Sequence, residues 1–447
     1  MCFNGHVTQT KSGKVFADYP LNAKLLKALH DISYVTPTPI QEQAIPILMA
    51  GHDVLGIAQT GTGKTASFCL PILHELEQKN LGLIPKHTHV LILTPTRELA
   101  IQIYDNLVEY GKYLKQSYAV IFGGVNQTRQ VKALKSGVDV LVATPGRLLD
   151  LIEQKHLSLQ KLSVFVLDEA DRMLDMGFIR DIKKIIPMLP KQRRNVFFSA
   201  TMPKEINALA QKILVNPKKI EVTPESTTVE SIEQRVMFVE KKEKVGLLLH
   251  LLKDKSFKKV LIFVGMKHMA NKVVERLHKN KISAAAIHGN KSQAARQKAI
   301  KDFSSNKVRV LVATDIAARG IDIDDITHVI NYDLPNEAES YVHRIGRTAR
   351  AGKNGIAISL VTADEKSYLK NIENKTKQSI AVEQAQPFHS DLAQNAAVVK
   401  PGKAKAKIEA GNKARRPRRK KPFKSKNAAK NGSASKRPFN KKNKPKT

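Results

Sequence analysis

The chain has 447 residues, 42% of them apolar, and 75 Lys and Arg residues against 40 Asp and Glu residues give a formal net charge of +35. At roughly 150 residues per domain, this length predicts two or three domains and excludes a single small module. Two cysteines, Cys2 and Cys69, and the lack of any zinc-type His or Cys spacing exclude disulfide scaffolds and zinc-ligand folds. No apolar run reaches roughly 18 residues and no apolar segment follows the first charges, so we expect a soluble, cytoplasmic protein that does not bind membranes.

Short β-branched runs alternate with helix-like segments from Asp53 to about Val222. These runs are DVLGI, HVLILT, YAVIF, DVLVAT, SVFVLD and NVFFSA. The alternation is typical of a parallel sheet with helical crossovers. It stops in a polar segment and resumes with KVLIFV, SAAAIH, RVLVAT, THVIN and GIAISLV. The sequence therefore predicts an α/β protein with two domains joined by a short linker.

The predicted organisation has five parts. They are an N-terminal extension (1–15), a first domain (16–222), a linker (223–233), a second domain (234–378) and a disordered segment (379–447) that is strongly basic from about residue 400. From Lys400 to Thr447 there are 20 Lys and Arg residues and one acid, Glu409, so this tail holds more than half of the net charge. Few of its residues could form a core, which predicts disorder. It either binds a polyanion or only aids solubility.

A glycine-rich turn, AQTGTGKT at residues 58–65, follows the first strand-like run and precedes a helix-compatible stretch. Backbone N–H groups of such a turn point into one concavity at a helix N-terminus and hold phosphates. We expect Lys64 to reach the β and γ phosphates and Thr65 to bind Mg²⁺. The candidate nucleotide-binding residues are Ala58, Gln59, Thr60, Gly61, Thr62, Gly63, Lys64 and Thr65. Taken alone, the turn also fits a structural strand-to-helix connection.

An acidic cluster, DEAD at residues 168–171, directly follows the apolar run VFVL. We expect Asp168 to hold the magnesium ion, partly through water, and Glu169 to orient and deprotonate the attacking water. Acidic residues at a helix start are also favourable for the helix dipole alone. The phosphate-binding turn earlier in the chain favours the catalytic interpretation.

Lys64-Thr65 and DEAD, with PTPIQ before them and SAT (199–201) after them, resemble the DEAD-box family of ATP-dependent RNA helicases. The resemblance spans residues 16–352, with the motifs in family order. It implies two tandem RecA-like parallel-sheet domains, the superfamily-two helicase core. It also implies that Gln41 reads the adenine edge and that Phe16 stacks on the base, although Ser33 stands where the family has glycine. HGNKSQAAR and MKHMAN resemble the bacterial RhlE-type group most closely.

The string HRIGRTARAG at residues 343–352 carries the second half of the predicted chemistry. If this segment is helical, His343, Arg347 and Arg350 lie on one face. The resemblance makes Arg347 and Arg350 arginine fingers for the transferring γ-phosphoryl group, whereas the alternative is a solvated basic helix face. Because the phosphate turn lies in the first domain, hydrolysis should require domain closure on ATP.

The resemblance assigns further residues to coupling and to the nucleotide. Asp171, Ser199, Thr201 and His343 connect the ATP state to RNA strain, and Gly320 and Asp322 complete the nucleotide site, with Asp322 near the ribose. The RNA contacts that it implies are Pro95, Thr96, Arg97, Gly123, Gly124, Thr144, Arg147, Gln293, Arg296 and Thr314. These follow predicted strands, where open α/β sheets place ligands, and would grip phosphates and sugars without reading sequence. Each string alone fits an ordinary loop or helix cap.

The sequence thus predicts an RNA-stimulated ATPase that uses ATP and Mg²⁺ and locally unwinds short RNA duplexes or remodels ribonucleoprotein complexes. By resemblance, ribosomal particles or RNA-decay proteins are the expected partners. Two alternatives stay open: a non-catalytic ATP-gated RNA clamp and a DNA translocase of the same superfamily. A GTPase would need an NKxD string and a transporter ATPase an LSGGQ string, and neither occurs.

Overall fold

The computed structural model describes residues 13–59, 61–222, 232–318, 323, 325–349 and 355–398. Within these ranges the chain forms two sheets of seven parallel strands each, with helices on their faces. In the same ranges, no helix is long and apolar enough to cross a membrane. The α/β class and the two parallel-sheet domains predicted from the sequence are confirmed.

The first sheet and its helices lie between residues 16 and 222. Strands β1–β7 are Val54–Ala58, Thr88–Leu93, Tyr118–Ile121, Val138–Ala143, Val164–Leu167, Arg194–Ser199 and Lys218–Val222. Helices α1–α9 are Ala23–Asp31, Pro39–Met49, Lys64–Lys79, Arg97–Tyr110, Thr128–Leu134, Pro145–Glu153, Ala170–Asp175, Ile179–Ile185 and Lys204–Ile213. Short 3₁₀ turns lie at Phe16–Asp18 and Ile186–Met188.

The central strands of this sheet are buried on both faces. In β2, Val90 and Ile92 pack on one face with α3 and α4, whereas Leu91 and Leu93 pack on the other face with α6, α8 and α9. Both faces must therefore be apolar, which is why these strands read as uninterrupted apolar runs in the sequence.

The order of the strands is β3-β4-β2-β5-β6-β1-β7. The predicted phosphate turn, DEAD, SAT and the RNA strings of this domain follow the carboxyl ends of strands, so they share one edge of the sheet, whereas Phe16 and Gln41 precede β1. The phosphate turn follows β1, DEAD follows β5 and SAT follows β6, and these three strands are neighbours. The order thus places the candidate ATP residues together at one half of the edge.

The second sheet lies between residues 232 and 398. Strands β8–β14 are Ile232–Phe238, Val260–Phe263, Ala284–Ile287, Val310–Ala313, His328–Asn331, Gly355–Val361 and Ala381–Val382, in the order β10-β11-β9-β12-β13-β8-β14. Helices α10–α16 are Lys244–Leu251, Lys267–Lys279, Gln293–Ser304, Asp315–Ala318, Ala338–Ile345, Lys366–Thr376 and Asp391–Asn395. A 3₁₀ turn lies at Ala363–Glu365.

Three strands were not among the predicted runs. These are β7, β8 and β14, which lie at or next to the sheet edge where one face is open to solvent. Strand β7 buries only Ile220 well, and β8 carries Glu233 and Arg235 among its apolar residues. Strand β8 also begins at Ile232, inside the segment predicted as linker.

The structure extends the second domain beyond its predicted end at residue 378. Strand β14 pairs with β8, and α16 follows with Ser390 Oγ accepting a hydrogen bond from the Ala393 N–H at 3.2 Å. Ile380 and Ala393 are buried at 5% and 3% exposure. Lys366 Nζ donates to the carbonyl oxygens of Gln394 and Ala396 at the end of α16. The predicted disorder of residues 379–398 is therefore wrong, and the basic tail from residue 400 lies outside the described residues.

Candidate active site

The phosphate turn connects β1 to the 16-residue helix α3. Gly61 and Gly63 have φ values of 81° and 89°, a left-handed conformation that favours glycine. Lys64 is buried, and its Nζ donates to the Ala58 carbonyl at 2.9 Å. Thr65 is partly exposed in the first turn of α3, and Thr62 Oγ1 donates to the Gln59 carbonyl at 2.8 Å. The predicted residue Thr60 lies outside the described residues. A helix N-terminus with a buried lysine suits a polyphosphate.

Asp168 and Glu169 are both buried at the end of β5. Burial raises the pKa of Asp168 to about 6, with Glu169 adding to the rise and Lys64 opposing it. The Glu169 N–H donates to Asp168 Oδ1 at 2.9 Å, and Arg172 Nη1 donates to Glu169 Oε2 at 3.1 Å. The chain thus brings a carboxylate pair and Lys64 to one edge of the sheet. Nothing in the sequence pattern singled out Arg172.

The last residue of DEAD contacts SAT directly. Asp171 Oδ2 accepts from the Thr201 N–H at 2.8 Å and from Thr201 Oγ1 at 2.9 Å. The Asp171 N–H donates to Ser199 Oγ at 3.2 Å, and Ser199 Oγ donates to the Thr201 carbonyl at 2.7 Å. These bonds connect the ends of β5 and β6 in one network.

Gln41 is fully buried in the first turn of α2, and backbone groups fix its amide. Its Oε1 accepts from the Thr38 N–H at 2.9 Å, and its Nε2 donates to the Gly63 carbonyl at 2.8 Å. A reversed amide would face the Thr38 N–H with its own N–H and the Gly63 carbonyl with its own oxygen, so only one orientation is favourable. Glycine is required at position 63 because a Cβ there would lie 2.3 Å from Gln41 Nε2.

Phe16 and Ser33 flank the same region. Phe16 is 2% exposed, and its ring packs on Tyr34 with 5.0 Å between centroids. Ser33 has a φ of 56° just after α1, a left-handed conformation that favours glycine. The main chain therefore makes the turn after α1 although the residue there is serine and not glycine.

Arg347 lies in a turn after α14, so the continuous helix that would place His343, Arg347 and Arg350 on one face does not form. Helix α14 ends at Ile345 with Gly346 as its C-cap, and the Arg347 N–H donates to the Arg344 carbonyl in a tighter turn. Glycine disfavours helix continuation, and Thr348 Oγ1 donates to the Ile326 carbonyl, which draws the chain towards the sheet. Arg347 and His343 line one small cavity. Gly320, Asp322 and Arg350 lie outside the described residues.

Arg344 in α14 is buried and contacts α13 and the end of β12. The sequence analysis did not single it out. Its Nε and Nη2 donate to Asp315 at 2.6 and 2.7 Å, and its Nη1 donates to Asn331 Oδ1 at 3.1 Å. Its guanidinium lies 5.0 Å from the centre of the Phe263 ring. Arg344 thus fixes α14 to the helix that follows Thr314.

The candidate RNA residues of the first domain follow β2, β3 and β4, the other half of the sheet edge. Thr96 caps α4, and the guanidinium of Arg97 lies against Gly124, where a Cβ would be 2.2 Å from Nη1. Arg147 Nη2 donates to the Val125 carbonyl at 3.2 Å. Pro95 precedes Thr96, Gly123 precedes Gly124, and Thr144 is the N-cap of α6. This half of the edge presents guanidiniums and backbone groups, which suit a phosphate backbone.

Gln293 and Arg296 begin α12 in the second domain and contact the first domain. Gln293 Nε2 donates to Glu98 Oε1 at 3.0 Å, and Arg296 Nη2 lies 2.9 Å from Glu98 Oε2. Burial, and then the nearby charges of Arg296 and Arg147, lower the pKa of Arg97, whereas Glu98 opposes that effect. Guanidiniums from the two domains, Arg97 and Arg147 on one side and Arg296 on the other, therefore lie close to one another, and Glu98 pairs with Arg296. The sequence did not predict the role of Glu98, because no local pattern pairs it with α12.

Comparisons with known proteins agree with this geometry. Residues 38–209 match the DEAD/DEAH box helicase family, and residues 243–352 match the helicase conserved C-terminal domain. The chain is also 41% identical over 365 residues to the DEAD-box ATP-dependent RNA helicase CshA of Bacillus licheniformis. The aligned region covers 82% of this chain and 74% of that protein. The chain belongs to the DEAD-box family of ATP-dependent RNA helicases.

Other relatives of this DEAD-box helicase include solved structures. The ATP-dependent RNA helicase CshA of Listeria monocytogenes is 41% identical over 380 residues, covering 85% of this chain and 72% of that protein. S. cerevisiae Dbp5 bound to RNA and ADP BeF3 matches with a TM-score of 0.73 and 31% identity, over 83% of this chain and 95% of that one. The DEAD-box helicase Mss116 bound to ssRNA and UDP-BeF matches with a TM-score of 0.74 and 27% identity, over 85% and 80% of the two chains.

Proposed function

We propose that this helicase hydrolyses ATP when RNA is bound, and that closure of its two domains on ATP separates short RNA duplexes locally or remodels ribonucleoprotein complexes. The observation that carries the proposal is the division of one sheet edge. The phosphate turn, DEAD and SAT follow β1, β5 and β6. The predicted RNA contacts of this domain follow β2, β3 and β4. Because both halves lie on one rigid sheet, a change at the nucleotide can reach the RNA side.

In this proposal, each residue of the ATP half has a distinct role. Lys64 neutralises the β and γ phosphates, and Glu169 accepts a proton from the attacking water. Arg347 from the second domain stabilises the charge of the transferring phosphoryl group once the domains close, with Arg350 as its predicted partner. The Asp171 network with SAT is the route by which the end of β5 affects the end of β6.

Mg²⁺ is part of the proposal because the available donors suit it. The Thr65 hydroxyl and the Asp168 carboxylate are hard oxygen ligands, and the raised pKa of Asp168 indicates a buried carboxylate that a cation would stabilise as the anion. When bound, the ion supplies positive charge to the phosphates. Lys64 adds positive charge to the phosphates from the first domain.

RNA is the proposed partner, bound without sequence preference. The cluster of Arg97, Arg147 and Arg296 supports phosphate contacts, and Gly123 and Gly124 lie beside the Arg97 guanidinium. The predicted contact Thr314 follows β11 in the second domain. Ribosome assembly or RNA decay, a cytoplasmic location and the RhlE-type subgroup stay predictions from the sequence. The strings HGNKSQAAR and MKHMAN favour the subgroup, whereas the Bacillus and Listeria relatives reported above carry the name CshA.

The decisive experiment measures steady-state ATPase activity of the full chain without nucleic acid, with single-stranded or duplex RNA, and with matched DNA. We expect strong stimulation by RNA alone. Equal stimulation by DNA would instead favour a DNA translocase. Tight ATP-dependent RNA binding without turnover would favour a non-catalytic clamp.

A further inference from the structure

Tyr34 lies beside the candidate adenine reader and is held by two other aromatic rings. Its ring packs on Phe16 at 5.0 Å between centroids, and it stacks on Tyr110 at 6.4 Å with 18° between the planes. Aromatic packing on both sides leaves the ring little freedom. The position of the Tyr34 hydroxyl is therefore set by the core of the first domain.

The Tyr34 hydroxyl accepts a hydrogen bond from Gln41 Nε2 at 2.6 Å. The same nitrogen also donates to the Gly63 carbonyl at 2.8 Å, so both amide hydrogens are used. On the other side of the amide, Oε1 accepts one bond from the Thr38 N–H and keeps a second lone pair. Three partners thus hold an amide that is fully buried.

We propose that Tyr34 is a positioning residue for base recognition, because its hydroxyl holds the Gln41 amide against the Gly63 carbonyl. This inference rests on the proposed role of Gln41 as the adenine reader. Thr38 and Gly63 decide which way the amide faces, and Tyr34 supplies the remaining partner that stops it from tilting. Gly63 immediately precedes Lys64. The hydrogen bond from Gln41 Nε2 to the Gly63 carbonyl therefore connects the base side of the site to the phosphate turn.

The physical reason is the cost of an unpaired buried donor. Without the Tyr34 hydroxyl, one N–H of Gln41 loses its partner inside the protein, which is unfavourable, and the side chain must shift to find another. A shifted amide presents its free lone pair to the adenine amino group less well. Guanine has a carbonyl oxygen at that position, gains nothing from this lone pair, and loses nothing when the amide shifts. Tyr34 should therefore matter for ATP more than for GTP.

The test is the variant Tyr34→Phe, which removes the hydroxyl and keeps the ring. We expect the Kd for a fluorescent N-methylanthraniloyl ATP to rise about fivefold, the loss of one neutral hydrogen bond, and the Kd for the corresponding GTP to change by less than about twofold. Equal losses for the two nucleotides would overturn the inference, because a general structural defect affects both. An unchanged Kd for ATP would overturn it as well.

Two further variants separate this inference from the role of Gln41. Tyr110→Phe removes a hydroxyl from the ring stacked on Tyr34 and should leave both Kd values within about twofold of the original. In a double-mutant cycle, Tyr34→Phe should have no further effect on ATP in a Gln41→Ala background. If Gln41→Ala itself leaves the preference for ATP intact, the adenine-reading role is wrong. If Gln41→Ala abolishes the preference and Tyr34→Phe does not reduce it, only the inference about Tyr34 is wrong.

Discussion

Glu169 combines an unusual backbone with a buried ion pair. Its φ and ψ are 54° and 51°, a left-handed conformation that costs a non-glycine residue of order 1 kcal/mol. The turn lets β5 end and α7 begin with only two residues, Asp168 and Glu169, between them. Arg172, in the first turn of α7, then fixes the carboxylate. The surrounding structure therefore holds this side chain in one place.

Glu169→Gln should stop turnover while ATP and RNA binding persist. An amide has nearly the shape of the carboxylate but cannot accept a proton from water. We expect a fall in kcat of at least about a hundredfold with little change in the ATP Kd, measured by single-turnover hydrolysis and by nucleotide binding. A kcat near that of the original chain would show that another group takes the proton.

Ser33 occupies the position at which many helices end with glycine. The Ser33 N–H donates to the His30 carbonyl and the Tyr34 N–H donates to the Leu29 carbonyl, both at 2.9 Å, which is the Schellman pattern. Ser33→Gly should therefore raise the free energy of unfolding by about 0.5–1 kcal/mol, measured by urea denaturation. Ser305→Gly is a matched control at a C-cap with a φ of −83°, where glycine should not stabilise. A gain of the same size in both variants would contradict the explanation.

We expect His328 to make folding stability depend on pH. Burial lowers the pKa of His328 to about 4, with Arg235 and Arg309 adding to the decrease and Asp254 opposing it. An unfolded histidine binds a proton below about pH 6.5, whereas the folded one does not until about pH 4, so stability should fall as the pH falls through this window. His328→Phe preserves stacking on Phe257 and should flatten that fall, measured by urea denaturation at several pH values. Unchanged slopes would refute this.

At the scale of elements, the segment after α15 completes the second sheet. The Glu383 N–H donates to the Val236 carbonyl and the Ser390 N–H donates to the Phe238 carbonyl, so the segment covers the edge of β8. Phe388 packs against Gly246, where a Cβ would lie 2.8 Å from its ring. These contacts make residues 380–395 part of the domain.

Truncation after residue 378 should destabilise the protein, whereas truncation after residue 398 should not. The first removes the buried Ile380 and the bonds to β8, which we expect to cost at least about 2 kcal/mol of unfolding free energy. The second removes only the basic tail, so it should weaken RNA binding and flatten its dependence on salt concentration. Thermal melts and RNA titrations at several salt concentrations measure the two effects. Equal melting curves for both truncations would contradict the first expectation, and an unchanged salt slope would contradict the second.

At the scale of the whole molecule, Glu98 connects the two domains. Its side chain is 6% exposed and is paired with Arg296, whose side chain is 9% exposed. A buried carboxylate that loses its partner is costly. The contact also brings α4, which starts at the candidate RNA residue Arg97, against α12. It therefore stabilises the arrangement in which RNA residues of both domains are adjacent.

A charge exchange tests this contact. Glu98→Arg and Arg296→Glu should each raise the RNA concentration for half-maximal ATPase stimulation by at least about tenfold, because each places like charges together. The double variant restores an opposite pair and should recover part of the loss. Strictly additive effects in this cycle would mean that the two side chains act independently.

Local sequence patterns predicted most of the buried strands and the phosphate turn of this protein. The apolar runs of strands buried on both faces are visible in the sequence, and so are the glycines of the phosphate turn, since both depend on residues close in the chain. Strands β7, β8 and β14, which lie at or next to a sheet edge, were missed because their polar residues face solvent and break the pattern. The end of α14 at Gly346 was missed because a tertiary bond from Thr348 helps to decide it.

The sequence by itself determined the fold class, the order of the motifs and the family. Only the tertiary structure decided which side chains meet: Tyr34 with Gln41, Arg344 with Asp315, and Glu98 with Gln293 across 195 positions of the chain. The physical reason is range. Strand and turn patterns are local, whereas these contacts depend on strand order and on how two domains pack, which no short stretch of sequence encodes.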